Sequence, residues 1–191
     1  MRRVILEEWI SLDGYVSDKK GQLNFFASSV RTIYSDVRQV KFLDTVDTIL
    51  FGRKTYQQFV NVWPQRETEK EPLANTMNKV KKLVFSNTIT NAPWGKWPGG
   101  EIITADPIPT IKSLKLLPGK NMVLWGSVSL AQTLMKEDLI DEYQLHLCPE
   151  LTSGGQKLFT EEINPTTLKI VETRLYDTGT IFLNYQRVNS L

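Results

Sequence analysis

The sequence is poor in the residues that build metal, thiol and membrane chemistry. It holds one cysteine, Cys148, and one histidine, His146, in 191 residues. A lone thiol cannot close an internal disulfide, so the chain is compatible with a reducing compartment. Cys148 precedes Pro149 and has no histidine partner at readable spacing, which leaves no nucleophile pair. His146 alternates with Leu145 and Leu147 and has no cysteine or acidic cluster around it, so no metal site is expected. Long apolar runs are also missing. Val4-Ile5-Leu6 is cut short by Glu7-Glu8, too soon for a signal peptide or a membrane span, and the expected location is cytoplasmic. Neither sign of charge dominates, with 23 basic against 21 acidic residues and a net charge of +2. That balance gives no reason to expect a nucleic-acid or membrane partner. Finally, no Gly-x-Gly-x-x-Gly occurs, so the usual glycine fingerprint of dinucleotide-binding folds is absent.

What is present is the material of an ordinary globular protein, 41% hydrophobic and 23% charged. The length suits one domain over residues 1–191 and can bury a sizeable core without staples. Short apolar runs at Val4–Leu12, Thr48–Phe51, Lys82–Phe85, Asn121–Trp125 and Glu142–Leu147 read as strands, the middle ones buried on both faces. Glu101–Thr104 reads as a shorter one. Helical spacing is legible over Ser28–Thr45, Lys54–Val60, Pro107–Leu117 and from about Ser127 to Glu137. Leu168–Tyr176 and Thr180–Val188 flank Asp177-Thr178-Gly179, a hairpin signal. Strands alternating with helices and ending in a hairpin predict an α/β fold, with a mostly parallel central sheet flanked by helices and an antiparallel C-terminal hairpin.

In such sheets ligands gather beyond the carboxyl ends of the strands. Three corners fall there: Gly52, Ser86 and Gly126. At the first, Gly52-Arg53-Lys54-Thr55 turns from strand to helix. Its unpaired N–H groups, two cations and a hydroxyl make an anion site that suits a phosphate. Gly126-Ser127-Val128-Ser129 repeats the design. Two helix starts converging on one crevice could grip a pyrophosphate. Ser86 and Asn87, with Arg53, could meet a further phosphate. The competing reading is an ordinary strand–turn–helix with exposed basic residues.

Together these motifs resemble the dihydrofolate-reductase-like family, and within it the branch related to the reductase domain of bifunctional riboflavin-biosynthesis proteins. The resemblance rests on Ser11-Leu12-Asp13-Gly14, Phe51-Gly52-Arg53-Lys54-Thr55-Tyr56, Trp125-Gly126-Ser127-Val128-Ser129-Leu130 and the late run Asp141–Phe159. It implies hydride transfer from NADPH, whose extra phosphate separates it from NADH, to a small heterocyclic substrate of pterin or aminopyrimidine type. By analogy, Arg53, Lys54, Thr55, Ser86 and Asn87 would hold the adenosine phosphates. Gly126, Ser127, Val128 and Ser129 would face the pyrophosphate and nicotinamide. Ser127 stands where relatives often carry a second glycine.

The resemblance also implies a carboxylate for substrate protonation, with Asp36 on the helix before the Gly52 strand and Asp13 at the cleft mouth as candidates. The simpler readings are a solvated surface acid for Asp36 and a turn-former for Asp13. Trp9 is the tryptophan best placed to border the cleft. Two other functions stay open: a nucleotide-binding module or sensor without catalysis, and an oligomeric role in which the late strand and the Pro149–Phe159 loop form a homodimer interface.

Overall fold

The computed structural model describes residues 1–23, 37–66 and 72–188. Eight strands form one sheet in the order β4-β3-β2-β5-β1-β6-β8-β7. They are β1 (Val4–Ser11), β2 (Val46–Gly52), β3 (Lys81–Phe85), β4 (Glu101–Ile103), β5 (Asn121–Trp125), β6 (Glu142–Cys148), β7 (Leu168–Leu175) and β8 (Ile181–Arg187). The first six run parallel, and β8 and β7 close the sheet antiparallel. The turn between the last two strands places Gly179 at φ 79° and returns its N–H to the Tyr176 carbonyl at 2.8 Å. This is the architecture expected from the alternation of strand and helix signals.

Strand β1 lies between β5 and β6, and all eight of its residues are buried. Alternation along it feeds two cores. Ile5 and Trp9 join the core that Phe42, Leu43, Leu73 and Met77 complete on one face of the sheet. Val4, Leu6 and Ile10 join the other, with Ile111, Leu130, Ala131 and Leu134. The helices that supply these residues are α1 (Val37–Asp44) and α3 (Pro72–Lys79) on the first face, and α4 (Pro107–Leu116) and α5 (Val128–Lys136) on the second. A further helix, α2 (Arg53–Val60), follows β2 directly and packs Phe59 against the first core.

Helix α3 is the element that periodicity did not assign. It begins at Pro72, a residue suited to a first helical turn, and buries Leu73, Ala74 and Met77 among otherwise polar neighbours. Of the helix expected over Ser28–Thr45, the described part is α1, and the remainder lies outside the described residues. No helix among the described residues is long and apolar enough to cross a membrane.

Candidate functional site

Strands β2 and β5 are parallel neighbours, with Leu50 opposite Leu124. Two further steps bring Gly52 level with Gly126, so the two strand-to-helix corners lie side by side. They are also bonded to each other. The Gly52 N–H donates to Ser127 Oγ at 2.8 Å, and the Ser127 N–H donates to Thr55 Oγ1 at 2.9 Å. Gly126 has φ +58°, and a Cβ built there would meet Thr55 Cγ2 at 3.1 Å. A side chain at 126 would thus be strained twice, by backbone and by contact.

Ser127 occupies the position before α5 where a hydroxyl often caps a helix. Here the hydroxyl accepts from Gly52 and donates to the Trp125 carbonyl at 3.2 Å instead. Neither α5 nor α2 has a side-chain cap. Two helix starts therefore present backbone N–H groups with no side-chain acceptor, a setting that favours anions.

Both corners open onto a cleft of about 830 Å³. Gly52, Arg53, Lys54 and Thr55 line one side, and Gly126, Ser127, Val128 and Ser129 line the next. Arg53 bonds Gln57 within its own helix at 3.1 Å. A third side is aromatic. Trp63, Phe59, Trp125 and Trp9 form a continuous wall, with ring centroids 6.3, 5.7 and 6.4 Å apart in that order. Trp9 is stacked between Trp125 and His146, whose ring lies 4.3 Å away. Flat aromatic faces of this kind suit a planar ring. Val16, Ser17, Gly21 and Leu23 form the roof, and Gln156 completes it.

Asp13 holds that roof in place. Its carboxylate accepts from Ser11 Oγ at 2.6 Å and from the N–H groups of Thr152 and Ser153 at 3.2 and 2.9 Å. The Ser11 hydroxyl in particular holds the Asp13 carboxyl below its ordinary pKa. Nearby, Val16 donates to the Gln156 carbonyl at 2.8 Å, and Leu158 to the Gly14 carbonyl at 3.2 Å. Asp13 thus ties the loop after β1 to the segment after β6, the turn-forming role extended across the chain. Asp36 lies outside the described residues. Ser86 and Asn87 sit one and two steps beyond Phe85, which is opposite Gly52 and lines the cleft. The Ser86 hydroxyl pairs locally with Thr88 at 3.2 Å.

Among the cleft residues that the motifs did not assign, one is an acid. Glu8, on the central strand, lines the cleft and is only 7% exposed. Burial pushes its pKa up to about 8. Its neighbour Glu7 points to the other face, where Oε1 bonds Gln39 at 2.7 Å and His146 at 3.1 Å. The available signal was a pair of glutamates inside an otherwise apolar strand.

The RibD C-terminal domain family model matches residues 2–182. The chain belongs to that family. Among curated proteins it is 32% identical to the uncharacterized protein YyaP of Bacillus subtilis (strain 168), over 96% of this chain and 94% of that one. Among solved structures, a putative riboflavin biosynthesis protein from Shewanella sp. PV-4 superposes with a TM-score of 0.77 at 25% identity, over 98% of this chain and 99% of the other. Dihydrofolate reductase from Enterococcus faecalis, solved with NADP(H), shares the fold alone, with a TM-score of 0.57 at 11% identity over 98% and 97% of the two chains. RibD C-terminal domains and dihydrofolate reductases are thus fold relatives of this chain, as the sequence motifs implied.

Proposed function

We propose that this RibD C-terminal domain is an NADPH-dependent reductase acting on a small heterocycle of pterin or aminopyrimidine type. The observation that carries the reading is the bonded pair of corners, Gly52–Ser127–Thr55, which sets two uncapped helix starts at the edge of one cleft. The residues fit the cofactor. Gly126 leaves the corner bare where a Cβ would crowd Thr55. The donor set is backbone N–H, hydroxyl and guanidinium, as a pyrophosphate requires.

Within this reading the α5 start and Ser129 meet the pyrophosphate, and Arg53 and Lys54 meet the adenosine phosphates. Ser86 and Asn87 extend that phosphate site along the rim. The bound nicotinamide supplies the hydride. The chain's own work is to orient the two rings, and the wall of Trp9, Trp125, Phe59 and Trp63 keeps water from the space between them. A homodimer belongs to the same reading. The Pro149–Phe159 loop exposes Leu151 and Phe159 and edge strand β7 exposes Ile170, Val171 and Leu175, and a size measurement in solution tests whether two copies associate.

The decisive experiment is a titration with NADPH at near-physiological salt, read by quenching of Trp9 and Trp125 fluorescence. A saturable signal is expected, and its absence overturns the proposal. Loss of nicotinamide absorbance with a panel of pterins, pyrimidine precursors and quinones then separates a reductase from a nucleotide sensor. The engaged, ionised state of Asp13 is what keeps the sensor in view.

A further inference from the structure

The aromatic wall of the cleft is backed, on its buried side, by polar residues that the cofactor reading does not use. The register sets Trp9 of β1, His146 of β6 and Phe182 of β8 in one row across three neighbouring strands. Side chains in such a row meet. The imidazole stacks on Trp9 with ring centroids 4.3 Å apart and planes 11° from parallel. Phe182 leans on the imidazole at 5.1 Å, and the Arg38 guanidinium of α1 lies 3.7 Å from the Phe182 ring centre. Glu7 is two residues before Trp9 and so projects from the same face of β1. The side chains of Glu7 and His146 are both fully buried.

Hydrogen-bond chemistry fixes the orientation of this group one partner at a time. The Arg38 guanidinium has donors only. Its Nη2 lies 2.7 Å from Gln39 Oε1, which sets the way round of that buried amide. Gln39 Nε2 is thereby turned to Glu7 and donates to Oε1 at 2.7 Å. Glu7 Oε1 is then an acceptor, and His146 Nε2 stands 3.1 Å from it. That nitrogen must bring the proton. A ring held by its Nε2–H is fixed in both tautomer and rotation, and its flat face is what Trp9 rests against. Trp9 in turn stands between His146 and Trp125, the other indole of the wall.

We propose that Glu7 and His146 are positioning residues of the cleft: the carboxyl group orients the imidazole, and the imidazole sets the angle at which Trp9 stands in the wall that receives the nicotinamide ring. The inference rests on the cofactor reading above. Neither residue lines the cleft, so each acts through Trp9. Without the stacked imidazole, Trp9 loses the packing on one of its faces and the wall loses its alignment with Trp125.

The test compares NADPH dissociation constants of the wild type, His146→Leu and His146→Gln, with urea midpoints measured alongside. Leucine fills the space but neither stacks nor donates, whereas glutamine offers a flat amide with a donor where Nε2 stands. His146→Leu should weaken NADPH roughly fivefold or more, the size of one lost aromatic contact. His146→Gln should bind within about twofold of the wild type, even where the two variants lose equal stability. Variants that bind alike, or a leucine variant that binds the tighter, overturn the inference. Should the wild type itself not bind NADPH, the reductase reading falls and takes this inference with it. The chain has one histidine, so nitrogen-15 NMR of the wild type reads this imidazole without overlap. A proton on Nε2 is expected, and an Nε2 without one overturns the proposal. If neither variant folds, the same spectrum decides. Saturating NADPH should shift the His146 ring signals through Trp9, and unmoved signals overturn the proposal.

Discussion

The backbone amide of Gly52 donates to the hydroxyl of Ser127 at 2.8 Å, joining the ends of two strands that are far apart in sequence. Ser127 makes this bond from a left-handed conformation, φ 59° and ψ 46°. A side chain there costs about 1–2 kcal/mol relative to glycine. The hydrogen bond to a partly buried amide is of similar size, and its removal leaves a donor without a partner. The serine therefore trades backbone ease for a stitch between the two corners of the cleft.

Substitutions at 127 separate the two effects. Ser127→Ala keeps the strain and loses the acceptor, so urea denaturation should show a loss of about 1–3 kcal/mol. Ser127→Gly loses the same acceptor but relieves the strain, and should be more stable than the alanine variant by about 1 kcal/mol. Two variants as stable as the wild type would mean that the stitch contributes nothing.

Gly126→Ala probes the other corner. The added methyl meets Thr55 Cγ2 at 3.1 Å while the backbone sits at φ +58°. Thr55 is the acceptor for the Ser127 N–H, so its displacement opens the stitch from the opposite side. Stability should fall by about 1–3 kcal/mol, and NADPH affinity should fall with it. An alanine variant that binds NADPH as tightly as the wild type would place the dinucleotide elsewhere.

Arg53 is the residue most exposed to a direct binding test. Its guanidinium lines the cleft, and its hydrogen bond to Gln57 is an exposed one within the helix. A charge-assisted contact to the extra phosphate of NADPH is worth about 1.5–3 kcal/mol. Arg53→Ala should therefore weaken NADPH roughly tenfold or more, and NADH much less. Equal losses for the two cofactors would remove Arg53 from that phosphate.

The corners were legible because their signals are local. An apolar run, a glycine and helical spacing at Ile49–Phe59 specify strand, turn and helix within a dozen residues. The pairing of Gly52 with Gly126 followed once both were placed at strand ends. Glu8 was not legible, since its meaning depends on β1 lying between β5 and β6, a non-local fact. On the page it only interrupts an apolar run. Asp13 kept two readings for the same reason, as its amide partners Thr152 and Ser153 lie at the other end of the chain. Helix α3 escaped because three buried apolar residues among polar ones give a faint period, and the packing of Leu73 and Met77 against the first core is what makes it a helix.

Lys82 offers a prediction about stability rather than binding. Its side chain is 1% exposed, and its Nζ donates to the carbonyls of Asn78 and Val80 at 2.9 and 2.8 Å. The amine also lies 4.7 Å from the Trp94 ring. Asn78 in turn holds Trp94 Nε1 at 2.7 Å and donates to the Trp63 carbonyl at 3.2 Å, so this lysine backs the aromatic wall of the cleft. Burial lowers its pKa from 10.5 to about 8. The unfolded chain therefore binds a proton that the folded chain releases between those two values, and stability contributed at this position rises with pH across that window. Below about pH 8 both states carry the charge, and the burial penalty is present in full and constant. Lys82→Met removes the titration. The difference in unfolding free energy between wild type and Lys82→Met, measured in urea at fixed salt, should grow in favour of the wild type from about pH 8 to about pH 10.5. Because every other titrating group is common to both proteins, a difference that stays level over that range would show that the buried amine keeps its ordinary pKa.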